Sequence, residues 1–243
     1  MWNDPMHGFR FNSCDQHETG LLSAIDLADH CDKPLPGMAL RRSFATDSLL
    51  NAGSFEMDPV AIILRGAIGL QHVLSDGRRS ISTIFLPGEI LDFRHIRIND
   101  GVVISLTLVE LCLFGAVDFD RLLLKNPRVR AAVTASHFRN FGFVASHCVD
   151  LARKSAIEKL ASFIFECRNR QAERRDEVIH LLLKRIDIAD YMGLRPETLS
   201  RAFAKLKQRK LISSDGVDQI QILNEPALRQ IANGAAMDFG CVA

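Results

Sequence analysis

At 243 residues and 27.1 kDa the chain has room for one large domain or two small ones, and its 47% hydrophobic and 24% charged content is that of a globular protein with ample material for a core. That composition excludes disordered and collagen-like chains, and no apolar run approaches the roughly 20 residues that cross a bilayer, so no membrane partner is expected. The formal charge of +1 hides an asymmetry: residues 1–150 carry a net −3 and residues 151–243 a net +4, with eight basic residues against three acidic ones between Lys184 and Lys210. Such an imbalance points to a polyanion as partner of the C-terminal part.

Residues 1–33 read as a polar lead-in ending at the breaker cluster Lys33-Pro34-Leu35-Pro36-Gly37. The opening Met1-Trp2-Asn3-Asp4-Pro5 has neither the basic start nor the apolar stretch of a signal peptide, and a cytoplasmic location is expected. From about Leu40 to Val117, short apolar runs alternate with turn signals. Val60–Leu64, Ala67–Leu74, Ser80–Leu86, Ile90–Phe93, Val102–Leu108 and Glu110–Phe114 are separated by Arg65-Gly66, by Ser75-Asp76-Gly77-Arg78 and by Pro87-Gly88-Glu89. Strands recurring at that spacing, one pair joined by an Asp-Gly turn, predict an antiparallel β-roll over residues 34–126.

After Asp118 the apolar period changes from two to about 3.6. Phe119, Leu122 and Leu123 mark a short helix, and Pro127 opens a long one, residues 127–153, on which Val129, Ala132, Val133, Phe138, Phe141, Val144, Cys148 and Leu151 form an apolar stripe. A stripe of this kind either packs on the roll or pairs with its twin in a homodimer. Val133, Phe141, Val144 and Cys148 are the candidate dimerisation residues. A further helix, roughly Ser155–Arg170, opens the C-terminal domain, residues 154–243.

In that domain, residues 185–204 have the spacing of a helix-turn-helix. Ala189 is small where two helices must touch, Gly193 stands at the turn four residues later, and Ile188, Met192, Leu194 and Leu199 are apolar at packing positions. Pro196 suits the first turn of the second helix, where the missing N–H has no partner to lose. On that helix Glu197, Ser200 and Arg201 fall at i, i+3 and i+4 and share one face. The chemistry of that face fits base edges, because arginine forks onto guanine O6 and N7 and glutamate accepts from cytosine N4. The alternative is an ordinary surface ion pair between Glu197 and Arg201. Lys184, Arg185, Arg195, Thr198 and Lys205 are the candidate phosphate contacts, and double-stranded DNA is the expected partner. Arg195 is unusual in a cap position that prefers Ser, Thr, Asp or Asn. Beyond the helix, Lys210–Ser213 and Gln219–Leu223 flank a Ser-Asp-Gly turn and read as the wing of a winged helix.

From about Pro59 to Leu228 the chain resembles the cyclic-AMP receptor protein/FNR superfamily of bacterial transcription regulators, in its FixK and FNR branch. The resemblance rests on Leu64-Arg65-Gly66, Ser75-Asp76-Gly77-Arg78-Arg79, Phe85-Leu86-Pro87-Gly88-Glu89-Ile90-Leu91, Asp187-Ile188-Ala189-Asp190-Tyr191-Met192-Gly193-Leu194 and Glu197-Thr198-Leu199-Ser200-Arg201. It implies an α+β fold: an N-terminal antiparallel β-roll like the cyclic-nucleotide-binding jelly roll, a long dimerisation helix and a C-terminal winged helix-turn-helix. It also implies a homodimer that binds a palindromic promoter and recruits RNA polymerase. Glu197, Ser200 and Arg201 resemble the readers of TTGAT half-sites, and Asp76, Arg78 and Arg79 fall in the region that contacts polymerase in the family.

Nothing in the pattern calls for a cofactor. Cyclic-nucleotide binders of the superfamily place an arginine before a serine or threonine in the roll, whereas Ser105 follows Ile104. Cys14, Cys31 and Cys112 lack the close spacing and fourth ligand of an iron–sulfur site, and the six cysteines contain no CxxC pair. Scattered histidines such as His72, His95 and His147 leave haem as an alternative without a spacing to support it. A β-roll also houses cupin enzymes, but no His-x-His pair occurs, nor a P-loop or a Gly-x-Ser-x-Gly, and no catalysis is expected.

Overall fold

Runs such as Val60-Ala61-Ile62-Ile63, buried without interruption, arise where a strand is covered on both faces. In a computed structural model of the chain, which describes residues 39–50, 59–96, 101–170, 178–215 and 219–234, this is how the roll is built. Seven strands, β1 (Ala39–Phe44), β2 (Val60–Arg65), β3 (Ile68–Val73), β4 (Arg79–Phe85), β5 (Ile90–Asp92), β6 (Gly101–Ser105) and β7 (Val109–Phe114), form two antiparallel sheets, β1-β7-β2-β5 and β4-β3-β6. Alternation sorts the side chains of β2. Ala61 and Ile63 point between the sheets with Ile68, Leu91, Val103 and Leu111, whereas Val60 and Ile62 point to the other face with Ile90, Cys112 and Phe114.

That outer face is covered by α1 (Ala116–Lys125) and the start of α2 (Pro127–Arg153), through Phe119, Val129 and Val133. Asn126 caps α2, accepting from the N–H groups of Arg128 and Val129, and Pro127 stands directly after it. The outer face of the second sheet, with Ile81, Ile84 and Ile104, is covered by the C-terminal domain. There α3 (Ala156–Arg170) packs with α4 (Arg185–Met192), α5 (Pro196–Gln208) and α6 (Glu225–Ala232) beside a small sheet ordered β8 (Val178–His180), β10 (Gln219–Ile222), β9 (Ile212–Asp215). No helix among the described residues is long and apolar enough to cross a membrane.

The strand expected over Val102–Leu108 stops at Ser105, because the chain turns there to meet Ala67, whose carbonyl accepts from the Leu106 N–H and whose N–H donates to Thr107 Oγ1. Three elements were not legible. β1 is an exposed edge strand whose Arg41 and Arg42 hide its period, β8 is only three residues long, and α6 follows the wing without a break in composition. The lead-in 1–33, with Cys14 and Cys31, lies outside the described residues.

Gly66 has φ +86°, and a Cβ there would stand 2.2 Å from the Leu108 carbonyl oxygen and 2.7 Å from Thr107 Oγ1. Gly77, with φ +85°, faces open space. Both substitutions to alanine carry backbone strain of about 1 to 3 kcal/mol. Only Gly66→Ala adds a clash with backbone, so it lowers Tm further than Gly77→Ala, by about 2 to 4 °C for each added kcal/mol. Equal shifts for the two variants in thermal denaturation would contradict this account of the β2–β3 turn.

Candidate nucleic-acid interface

The turn between α4 and α5 depends on two small residues. Ala189 is fully buried where the helices meet, and Gly193 takes φ 61° at the end of α4, where its N–H and that of Leu194 satisfy the last carbonyls. Leu199, Ala202, Phe203 and Leu206 turn one face of α5 into the core. The opposite face is left to solvent. Glu197, Ser200 and Arg201 all lie on it, together with Lys205, Lys207, Arg209 and Lys210.

Among the described residues Glu197 and Arg201 take no ion-pair partner, and the i,i+4 pair that would consume them does not form. The Ser200 hydroxyl donates to the Pro196 carbonyl at 2.9 Å and keeps its lone pairs available. Arg195 is exposed and makes no side-chain cap, as its type foretells, and Thr198 is half-buried beside it.

Lys184 and Arg185 are placed differently from the phosphate contacts expected of them. Lys184 Nζ lies 2.9 Å from Asp47 Oδ2 of the roll, and the Arg185 guanidinium is stacked 3.7 Å over the Phe203 ring inside the motif. Arg79 departs further from expectation. Its guanidinium is taken up by Asp190 at 2.7 Å and Asp187 at 3.0 Å, so it is not presented at the hairpin tip, where Asp76 and Arg78 pair with each other at 2.7 Å.

The long helix carries two stripes, not one. Val129, Val133, Ser136, Asn140, Phe143 and His147 face the protomer, each buried or half-buried. Thr134, Phe138, Phe141, Ala145, Cys148 and Ala152 step by four and three along a line about 140° away and are exposed. Phe138 and Phe141 stand 71% and 70% exposed. Of the four candidate dimerisation residues, Phe141 and Cys148 lie on this open stripe. Val144 is half-buried at its margin, and Val133 is withdrawn into the roll core, where it covers Phe114 and Phe119.

Where α2, the roll and the C-terminal domain meet there is a polar cluster that the sequence did not announce. Buried Arg170 donates to the Ile84 carbonyl at 2.8 Å, pairs with Glu166 at 3.2 Å, lies 3.9 Å from Glu89 and sits 4.2 Å over the Phe143 ring. Burial pushes the Glu89 and Glu166 carboxyls up, against the pull of Arg170. Tyr191 donates to Glu166 and stacks on His147 with centroids 3.8 Å apart. Cys112 is buried in the roll, its thiol pushed up to about 11 by that burial, which is a poor setting for a metal-binding thiolate.

Comparison with known proteins agrees with this geometry. Residues 158–231 match the Crp-like helix-turn-helix domain family. The chain is 30% identical over 200 residues to the nitrogen fixation regulation protein FixK of Rhizobium meliloti, covering 82% of this chain and 90% of that one. It is 33% identical over 208 residues to the transcriptional activatory protein AadR of Rhodopseudomonas palustris, covering 84% and 86%. Among solved structures, FixK2 from Bradyrhizobium japonicum superposes with a TM-score of 0.68 at 25% identity over 79% of this chain and 96% of that one. CooA from Carboxydothermus hydrogenoformans shares the fold, with a TM-score of 0.71 at 13% identity over 90% of this chain and 99% of that one. The chain belongs with FixK and AadR: it is a DNA-binding transcription regulator of the CRP/FNR family, in the FixK branch, and not an enzyme.

Proposed function

We propose that the protein acts in the cytoplasm as a homodimer that reads an inverted repeat of TTGAT-type half-sites, with Glu197, Ser200 and Arg201 on the base edges and Arg195, Thr198 and Lys205 on phosphates. The observation that carries this reading is the outward row on α5, whose Glu197 and Arg201 take no ion-pair partner among the described residues, combined with a second outward stripe on α2 suited to a twin helix. Asp76 and Arg78, at the exposed tip of the β3–β4 hairpin, are the residues offered to RNA polymerase, and activation follows the pattern of relatives named as activators. The protein binds without a cyclic nucleotide. Support comes from Ser105, whose buried hydroxyl is spent inside the roll, donating to the Ala45 carbonyl at 2.6 Å and accepting from the Ser48 N–H at 2.8 Å.

The test is fluorescence anisotropy of the protein as purified, without added ligand, on a duplex with inverted TTGAT half-sites and on scrambled DNA, at low and high salt. Tight binding to the first, with a preference that survives added salt, is the expected result. Equal affinity for both duplexes would overturn the reading.

A further inference from the structure

The C-terminal domain is joined to the long helix through only Lys154 and Ser155, between the end of α2 and the start of α3. A link that short is a pivot. The direction in which the reading row points is then set by what holds the domain from the side. Part of that hold is apolar: Ile84 and Leu86 of the roll meet Phe163, Cys167 and Leu183. Apolar contact adheres but is poor at fixing angle, because it has no direction.

The buried Arg170 group and the Tyr191–His147 stack supply part of the direction, and the grip of the roll on α4 comes from the Arg79 fork. Its Nε and Nη2 both donate to Asp190 Oδ2, at 2.9 and 2.7 Å, and Nη2 also donates to Asp187 Oδ1 at 3.0 Å. Local structure places these groups from both sides. The Asp76-Gly77 turn, with Asp76 accepting from the Arg78 N–H, brings Arg79 to the first paired position of β4 opposite Val73. Asp187 and Asp190 are three apart on α4 and therefore share a face. The side chain of Asp187 is 3% exposed and its Oδ2 takes no hydrogen bond among the described residues, so this carboxylate depends on Arg79 for compensation. At the start of the same helix, Lys184 reaches Asp47 of the roll, an exposed pair that adds little strength but pins a second point.

We infer that Arg79 is the positioning residue of the DNA-reading head: by clamping α4 to the roll through Asp187 and Asp190 it holds the reading row of α5 at the angle that lets both heads of a dimer engage one inverted repeat. The clamp touches α4 and α4 is tied to α5 through Ala189 and Gly193, so a fixed α4 fixes the reading row. Arg79 touches no base. Its effect is on the second head, whose effective concentration at its half-site depends on how freely the first head's partner can swing.

This inference rests on the dimeric reading of an inverted repeat, and the experiment separates the two. Anisotropy is measured on an inverted-repeat duplex and on a duplex with one half-site, for the full chain, for Arg79→Ala, and for the exchange Arg79→Asp with Asp190→Arg, in which Asp187→Asn removes the carboxylate that would otherwise face the new Asp. The unmodified protein prefers the repeat. Arg79→Ala loses about tenfold or more of that preference, the scale on which freedom between linked binding units acts, while single-half-site affinity stays within about twofold. The exchange restores the preference, since the two swapped side chains rebuild the pair with its sign reversed. A merely structural role would lower both duplexes together and would show as loss of folded signal by circular dichroism. Arg79→Ala with an unchanged or increased preference, or an exchange variant that fails to recover it, overturns the clamp and leaves the functional reading standing. An unmodified protein without preference for the repeat overturns both.

Discussion

Arg201→Ala is expected to weaken binding to the specific duplex by about 1 to 3 kcal/mol and to blur the base preference at one position of each half-site, with little change on scrambled DNA. The side chain stands on the open face of α5, no ion pair among the described residues holds it back, Glu197 stands one turn earlier and Ser200 directly precedes it. Lys205→Ala is the contrast. One turn further along the same face, an ammonium without a planar fork meets phosphate and carries no sequence information, so all duplexes weaken alike and the slope of log affinity against log salt becomes shallower by about one unit. Competition titrations with duplexes altered at single positions read the difference. Equal losses on specific and scrambled DNA for both variants would show that this face adheres without reading.

How much of this arrangement could be read before the fold was known depends on whether the cause was local. The helix-turn-helix was legible because its constraints act within one turn of chain: a small residue at Ala189, a left-handed glycine at Gly193, a proline at the first turn of α5. The roll was legible from its punctuation. The two stripes of α2 were not, because they run in parallel with the same steps of four and three, and a one-dimensional pattern cannot say which apolar residue meets the roll and which meets solvent. That is why the pattern alone groups Val133 with Phe141 although they point apart. The Arg79 clamp was hidden for another reason. Residues more than a hundred positions apart form it, and the only local trace is the i,i+3 spacing of Asp187 and Asp190, which many solvated helices share.

Phe141→Glu separates those two stripes by experiment. In the proposed homodimer the ring of Phe141 would meet its own copy or a near neighbour across the two-fold axis, and burying two phenylalanines per dimer would contribute about 3 to 6 kcal/mol. Replacing them with two facing carboxylates removes that contribution and adds repulsion, so the dimer dissociation constant rises by at least about a hundredfold. Sedimentation then finds a monomer, and the inverted-repeat duplex is bound no better than a single half-site. The fold survives, because Phe141 is 70% exposed in the protomer and supports nothing within it. Val133→Ala behaves in the opposite way. Buried against Phe114 and Phe119, it lowers thermal stability by about 1 to 3 kcal/mol while the protein sediments as before. A Phe141→Glu protein that remains dimeric, or a Val133→Ala protein that dissociates without loss of Tm, would place the seam on the face of α2 that the roll already occupies. In the protomer that face has no room for a partner helix.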